Sequence, residues 1–240
     1  MIIDRDRIAW AYEGRYRRLV RKFFPDSGVT FFDPDEFPWV AEVEERYPEI
    51  RAEVDRLLDR VERIPGFQDL DPRQVALTED DRWKTYPLVV FGETVAEAKT
   101  TCPETLRALR HVPRLENAFF SMFDAGKEIP PHGGPTKSLL RFHLGTKVPE
   151  PADRCGIRVG SDIRHWEEGK SLVFDDTHDH EAWNRTDGFR VVLFVDFVRP
   201  SPAPWALATW MSVQVARRSQ AAQDVRGQLR GITTVDGPTG

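Results

Sequence analysis

Two segments of this chain place cationic side chains inside runs that otherwise read as buried strands. Segment 189–198, FRVVLFVDFV, carries Arg190, and segment 137–145, KSLLRFHLG, carries Arg141 and His143. Because side chains alternate between the faces of a strand, Arg141 and His143 share one face. Breaking a buried ion pair by removing one partner costs about 3–5 kcal/mol, so a buried guanidinium needs an anion. That anion is either an internal acid or a ligand carboxylate bound through two parallel hydrogen bonds.

The internal candidates for pairing with Arg190 are Asp176 and Asp196, and either would make this arginine a structural residue. Neutralising Arg141, His143 and Arg190 all from within the fold would require several buried acids. We therefore expect these three side chains to form a pocket for a small dianion.

Two histidines flank this cationic pocket in the sequence. His132 lies in the Pro/Gly-rich segment IPPHGGPTK, and His180 lies ten residues ahead of Arg190. Both are predicted to lie on loops. Neutral imidazoles are ligands for a borderline metal, and an arginine can hold the far carboxylate of an anionic co-substrate bound to that metal. The pattern thus indicates a metal centre beside an anion site, with the other histidines on the surface or in structural roles.

The elements that must position these residues are helical first and then β. A helix is predicted over 5–24, with seven Arg/Lys between Arg5 and Lys22 that form either a solvated basic face or a contact with an anionic membrane. Apolar residues at steps of three and four predict helix over 36–62, which Pro48 can split in two. A short helix near 94–110 and a closing helix over 205–216 are also predicted.

Short strand signals separated by tight turns dominate the middle of the chain, which indicates an antiparallel sandwich or closed barrel. They fall at 88–92, 118–123, 137–145, 155–159, 163–166, 170–174 and 189–198. No internal repeat or linker divides the chain, so we expect one domain over 1–240. Within it, 1–85 is mostly helical, 86–200 forms the β-barrel core, and 201–240 is a C-terminal helix and tail.

Composition narrows the function classes. The 240 residues carry a net charge of -5 and a sequence pI near 5.7, which does not suggest nucleic-acid binding. The two cysteines are too few for a disulfide framework or a thiolate zinc site. Neither a signal peptide nor an apolar run of the ~20 residues needed to span a bilayer is visible. These features predict a soluble, cytoplasmic protein.

Roughly residues 31–200 resemble the aspartyl/asparaginyl β-hydroxylase family of iron(II)/2-oxoglutarate dioxygenases, whose relatives include the bacterial lipid A acyl-chain 2-hydroxylases. The motifs that carry the resemblance are FPWV, IPGFQDL, DRWKT, HGGPTKSLLRFHLG, CGIRVG, WEEGKSLVFDDTHDHEAWN and FRVVLFVDFVRP. The resemblance implies a mainly β fold, a double-stranded β-helix (jelly-roll or cupin-like) barrel preceded by an N-terminal helical segment. It also implies iron(II), 2-oxoglutarate as co-substrate, and O2.

By motif match, the resemblance implies that His132 and His180 bind the iron and that Arg190 holds the distal carboxylate of 2-oxoglutarate. Arg141 and His143 would support the co-substrate, and Ser121 in FFSMF would contact it.

The third ligand departs from the wider dioxygenase class. Most members place an acid two residues after the first histidine, where this chain has Gly134. The β-hydroxylase family is similar in lacking that acid. Asp175, Asp176 and Glu181 could substitute for it, or orient His180 from behind.

The resulting function hypothesis is hydroxylation of an unactivated C–H bond, foremost of the aspartyl/asparaginyl β-hydroxylase type. The substrate would then be a peptide or a free amino acid. The alternative is hydroxylation of a fatty acyl chain of a lipid, with peripheral membrane contact through the basic N-terminal helix. Two further alternatives are a catalytically silent metal-binding barrel acting as a sensor, and a zinc hydrolase. A hydrolase would leave the buried arginines unexplained.

Overall fold

The computed structural model describes residues 24, 26, 28–70, 78, 80–201 and 205–233. The predicted basic helix over 5–24 lies outside the described residues except for Phe24, and so does the end of the chain from residue 234. No helix within the described ranges has the length and apolar character needed to cross a membrane.

The described strands form two antiparallel sheets. In chain order they are β1 (Phe31–Phe32), β2 (Trp83–Val90), β3 (Glu93–Thr94), β4 (Leu115–Phe123), β5 (Glu128–His132), β6 (Leu139–Lys147), β7 (Cys155–Val159), β8 (Asp162–His165), β9 (Ser171–Phe174), β10 (His180–Asn184) and β11 (Arg190–Val198). The major sheet has the order β1-β9-β6-β11-β4-β2-β3, and the minor sheet has the order β5-β10-β7-β8. This arrangement confirms the predicted double-stranded β-helix barrel.

Seven α-helices are described alongside these strands. They are α1 (Trp39–Glu44), α2 (Tyr47–Leu58), α3 (Phe67–Leu70), α4 (Ala98–Thr101), α5 (Pro103–Leu109), α6 (Trp205–Arg217) and α7 (Gln220–Thr233). The predicted helix over 36–62 is split as expected, because Pro48 stands in the first turn of α2.

The outer face of the major sheet packs against the helices. Val191, Leu193, Val195 and Phe197 of β11 face this side and join one buried cluster with Val43, Ile50, Val54 and Leu57 of α1 and α2. Trp39 of α1 lies 5.1 Å from the rings of both Phe142 and Phe197, measured between ring centroids. Burying such side chains supplies about 1.5–3 kcal/mol each, and this core holds the central strands in register.

The inner face of the major sheet meets the minor sheet. All nine residues of β11 are buried, which confirms that this strand is covered on both sides. Arg190 is registered with Phe123, Val192 with Ser121, and Asp196 with Arg141. Paired residues in an antiparallel sheet project from the same face, so these side chains point into the space between the sheets.

Several predicted boundaries differ from the structure. Strand β1 lies in the part of the chain that was predicted to be mostly helical. Helix α7 was not predicted. The prediction that His132 and His180 lie on loops was wrong, because His132 ends β5 and His180 begins β10. The sequence of β5, EIPPH, hides a strand because proline cannot donate to a ladder. The edge position of β5 in the minor sheet tolerates this loss.

A buried carboxylate ties three neighbouring strands together at one end of the major sheet. Asp175, which follows β9, pairs with Lys137 just before β6 and with Arg199 just after β11, whose Nη2 lies 2.9 Å from Asp175 Oδ2. The backbone N–H and hydroxyl of Thr177 donate to the other carboxylate oxygen at 3.0 and 2.6 Å. Burial alone would raise the pKa of Asp175, but the charges of Arg199 and Lys137 outweigh it and lower that pKa.

Replacing Asp175 by Asn should remove the carboxylate that Lys137 and Arg199 share, while Arg199 keeps its ion pair with Asp26 at 3.2 Å. The change should lower the free energy of unfolding by about 3 kcal/mol. The measurement is urea unfolding near pH 7, with Asp187→Asn as a control, since Asp187 is exposed and its change should fall within about 0.5 kcal/mol. Because the folded-state pKa is lowered, the contribution exists above the unfolded-state pKa of about 3.9 and disappears in stronger acid. We call Asp175 with its partners Lys137 and Arg199 the Asp175 clamp. An unchanged free energy of unfolding in Asp175→Asn would show that this clamp does not stabilise the fold.

Candidate active site

Two imidazoles meet where β5 and β10 pair. His132 and His180 are direct partners in the ladder, and their ring centroids lie 4.0 Å apart at an interplanar angle of 48°. The Nδ1 atom of His132 lies 2.9 Å from the carbonyl oxygen of Pro130, and that of His180 lies 3.0 Å from the carbonyl oxygen of His178. A carbonyl only accepts, so both protons are on Nδ1. This leaves Nε2 as the metal-binding nitrogen of each ring.

Both imidazoles are held in the neutral form that a metal requires. Burial, followed by the proximity of the His132 ring and of the Arg141 guanidinium, lowers the pKa of His180 to about 3. Burial also lowers the pKa of His132. Because a metal competes with protons for the same lone pair, low pKa values keep these nitrogens open to a metal at neutral pH. The donor set therefore fits a divalent borderline metal such as iron(II).

The expected third-ligand position is filled from another loop. A Cβ on Gly134 would overlap the carboxylate of Asp176, so only glycine fits beside this carboxylate. Asp176 Oδ2 lies 2.9 Å from Nη2 of Arg141, and Arg141 Nε lies 3.1 Å from Oδ1 of Asp196. Within the described ranges, no cluster of three or more His, Cys, Asp or Glu side chains is arranged to hold a metal ion.

The other two acids considered for this position are engaged elsewhere. Asp175 pairs with Lys137 and Arg199 in the Asp175 clamp, and Glu181 pairs with Arg158 with an Oε1–Nε distance of 2.5 Å. Neither carboxylate is available to orient His180. Of the three acids, Asp176 is the one that lies beside Gly134, the expected third-ligand position, and it forms an ion pair with Arg141.

Arg141 was expected to be a cation without an internal partner, but it is paired within the fold. Two aspartates neutralise it, and its guanidinium lies 4.2 Å from the centre of the Phe194 ring. Its assignment as a co-substrate contact stays a prediction. The pocket was expected to contain three unpaired basic side chains, Arg141, His143 and Arg190. Only Arg190 is a charged side chain without a described acid, so the anion site is centred on Arg190.

Arg190 is buried at 1 % exposure, and no carboxylate among the described residues pairs with it. Its Nε and Nη2 atoms have no hydrogen-bond partner within the described part of the chain. The guanidinium carbon lies 3.6 Å from the Phe123 ring centre and 4.5 Å from that of Trp166. Burial lowers the pKa of Arg190 to about 9, as expected for a charge taken out of water without an acid. Orphaned donors of this kind fit a ligand carboxylate.

His143 and Ser121 complete this interior wall. The ring of His143 is buried near Phe174 and Phe194, and neither nitrogen has a hydrogen-bond partner among the described residues. Burial and then the charges of Arg141 and Arg190 hold the pKa of His143 well below its usual value, so it is neutral. Ser121 Oγ accepts a hydrogen bond from Nε1 of Trp83 at 3.0 Å. Both residues remain predicted co-substrate contacts.

The aromatic walls of this site were missed at the level of sequence. Phe123 and Trp166 both contact the guanidinium of Arg190, and Trp83 lies against Phe123 with ring centroids 5.5 Å apart. Phe123 stands two residues after Ser121 on β4, so strand alternation could have placed it on the same face. Trp166 lies between strands and gave no comparable signal.

Comparisons with known proteins agree on one family. Residues 44–200 match the family model for aspartyl/asparaginyl beta-hydroxylase. An ornithine lipid ester-linked acyl 2-hydroxylase from Rhizobium tropici is 43% identical over 209 residues, which cover 87% of this chain and 73% of that protein. The human aspartyl/asparaginyl beta-hydroxylase is 31% identical over 179 residues, which cover 70% of this chain but only 23% of the human protein.

A solved structure, the Cupin_2 domain of an XRE family transcriptional regulator from Enterobacter cloacae, is similar over 50% of this chain with a TM-score of 0.35 and 9% identity.

Replacing Arg190 by Met should leave the ligand-free protein as stable as the unchanged chain, or make it more stable. The methionine fills similar space without a buried charge, and no described acid loses its partner. Urea unfolding without metal or co-substrate measures this, with Asp175→Asn as the variant in which a buried pair is broken. A loss of about 3 kcal/mol or more in Arg190→Met would reveal an internal anion and make the arginine structural.

Proposed function

Because the chain belongs to the aspartyl/asparaginyl β-hydroxylase family, we propose that it is an iron(II)- and 2-oxoglutarate-dependent hydroxylase acting on the fatty acyl chain of a lipid. The observation that supports 2-oxoglutarate as co-substrate is the buried guanidinium of Arg190, which pairs with no described acid and lies in the same interior as the His132–His180 pair. A metal-chelating dicarboxylate supplies both groups that this arrangement lacks, a metal-bound end and a distal carboxylate.

Iron(II) with 2-oxoglutarate and O2 supplies an oxidant for an unactivated C–H bond and releases succinate and CO2 beside the hydroxylated product. His132 and His180 would hold the metal through Nε2, and Asp176 and Arg141 fill the side on which most relatives of the wider class carry a protein acid. Arg190 would present its planar fork to the distal carboxylate, a geometry that lysine cannot reproduce.

The apolar surroundings make that ion pair stronger. The rings of Phe123 and Trp166 lie against the Arg190 guanidinium, which is almost fully buried. A charge-assisted hydrogen bond gains strength when solvent is excluded, because the local dielectric falls. Neutral His143 adds a donor or acceptor on the same wall without adding a second charge.

The relatives favour a lipid as substrate. The Rhizobium tropici acyl 2-hydroxylase matches more of this chain, at higher identity, than the human β-hydroxylase does. The amino-acid or peptide substrate favoured by the sequence analysis is therefore the second candidate, supported by the 31% identity to the human protein. A cytoplasmic location stays part of this proposal.

Arg190 should determine the affinity for 2-oxoglutarate. Hydrogen bonds to charged groups contribute about 1.5–3 kcal/mol each, so Arg190→Met should weaken binding by roughly 10- to 150-fold or more. Arg190→Lys should recover only part of this, because an ammonium forms no bidentate pair. Anaerobic calorimetric titration of the Mn(II)-loaded protein measures it, with the exposed Arg154→Met as control. Equal affinity in Arg190→Met would remove this residue from the co-substrate site.

The reaction itself is tested by following succinate and product together. The iron-loaded protein should form succinate and a 2-hydroxy fatty acyl product in equal amounts from an ornithine lipid, and His180→Ala should form neither. Mass spectrometry of the released acyl chain locates the hydroxyl group. Equal succinate and hydroxylated product from an aspartyl peptide alone would replace the lipid by the second candidate. Iron binding without succinate from any substrate would favour the sensor hypothesis.

A further inference from the structure

One helix of this chain carries an uncovered apolar face. The described chain has six exposed large hydrophobic residues, and four of them lie on α6: Leu207, Trp210, Met211 and Val215, each more than half exposed. Their spacing of three, one and four residues puts them on one side of the helix. Contiguous exposed apolar surface of this kind is uncommon on a protein that contacts only water.

The opposite side of α6 is fixed to the barrel. Thr209 and Val213 are buried, and Ser212 Oγ lies 2.6 Å from Ser138 Oγ, at the point where the chain enters β6. The exposed face is therefore not free to rotate inward and cover itself. It is presented outward by a helix whose other face is held by packing.

The charge around this face favours an anionic partner. Residues 205–216 contain no charged side chain, and the two helices together, 205–233, contain four arginines and one aspartate. That gives +4 − 1 = +3 in a chain whose total is -5. Arg217 pairs with Glu116 and Arg226 pairs with Glu93, whereas Arg218 is exposed next to the end of the apolar stripe. An apolar stripe that ends at an exposed arginine fits the boundary between acyl chains and anionic headgroups, where arginine keeps its charge in the polar layer.

The position of α6 connects this face to the active site. The chain that leaves His132 reaches α6 six residues later, at Ser138. A pocket of about 400 Å³ lies between α6 and the barrel, with Asn117, Leu139, Val213 and Val215 in its lining. Asn117 Nδ2 donates to Asp196 at 3.1 Å, and Asp196 pairs with Arg141 in the interior. A lipid surface at α6 would thus lie next to the segment 133–138, which follows the proposed metal ligand His132.

We infer that the apolar face of α6 is the surface by which this protein lies on an anionic lipid bilayer, with Leu207, Trp210, Met211 and Val215 in the acyl boundary. This inference deepens the proposed function and rests on it for the lipid as substrate. It differs from attachment through the basic segment 5–24, since it uses a helix that is packed on the barrel.

A single fluorescent label tests which partner covers this face. Cys102 and Cys155 are fully buried, so a thiol-reactive NBD dye on Met211→Cys reports on α6 alone. The matched control is Ile163→Cys, an exposed apolar position on β8. The 211 label should shift to the blue with vesicles of phosphatidylcholine containing phosphatidylglycerol, less so with pure phosphatidylcholine, and the 163 label should not respond.

Three results with the label would overturn the inference. One is no response of the 211 label to vesicles. Another is a blue-shifted 211 label before vesicles are added that depends on protein concentration, since this assigns the face to a second copy of the chain. A third is the same early shift without concentration dependence, since this assigns the face to the chain's own residues.

Vesicle flotation of the full-length protein gives the second measurement. Trp210→Ser/Met211→Ser should weaken binding to the phosphatidylglycerol vesicles by at least about tenfold, because two apolar side chains no longer enter the acyl boundary. Arg218→Gln should weaken it by about fivefold. Ile163→Ser should bind like the unchanged protein. Equal flotation of Trp210→Ser/Met211→Ser would contradict the docking face.

Activity separates this inference from the proposed function. If both hold, Trp210→Ser/Met211→Ser loses hydroxylation of lipid in vesicles but keeps it with the same lipid dispersed in detergent, and its affinity for 2-oxoglutarate is unchanged. Vesicle binding without any hydroxylation would support the docking face and refute the proposed activity. Full activity of the variant on vesicles would refute the docking face and leave the proposed activity standing.

Discussion

Three arginines lie in or beside the space between the two sheets, and aspartates neutralise two of them. Arg141 pairs with Asp176 and Asp196, and Arg199 pairs with Asp175. Arg190 is given two aromatic faces and no described acid. A buried guanidinium without an anion lowers stability, so the fold must supply that free energy from elsewhere. The helical core on the outer face of the major sheet is the source, because it packs the same strand, β11, through its alternate residues.

The Asp175 clamp and the site are parts of one arrangement. Asp175 fixes the end of β9 to β6 and β11, and the next residue, Asp176, is thereby held against Gly134 and Arg141. Four residues further, His180 opens β10 opposite His132. A structural ion pair therefore sets the position of the loop that leads to His180, one of the two proposed metal ligands. Contacts that fix the backbone next to a metal ligand, as the Asp175 clamp does ahead of His180, would hold a site of two histidines in one geometry.

Much of the fold follows from local sequence pattern, and the charge pairing does not. The apolar character of β11 on both faces predicts a covered strand, and the Pro48 break and the strands near 155–174 follow from short-range signals. Asp176 and Asp196 could be named as candidate partners of an arginine from the sequence. Their choice of Arg141 depends on β6 lying beside β11 with Arg141 opposite Asp196, a register between residues 55 positions apart. Likewise, proline-containing β5 and polar β10 lack a strand pattern, and only their pairing across the minor sheet brings the two histidines together.

The proposed reaction chemistry and the proposed lipid-binding surface lie in different parts of the chain. Every residue assigned to iron or co-substrate lies between Ser121 and Arg190, inside the 44–200 stretch that matches the family model. The exposed stripe of α6 begins only at Leu207, outside that stretch. A barrel whose interior binds the same co-substrate can serve a peptide or a lipid, because specificity then depends on which surface brings a C–H bond to the pocket. In this chain a short segment, residues 132–138, connects the candidate site with α6. Ser138 contacts α6 through Ser212, Lys137 joins the Asp175 clamp, and His132 stands five residues earlier on the same segment. A lipid surface bound at α6 would thereby contact the segment that follows the proposed metal ligand His132.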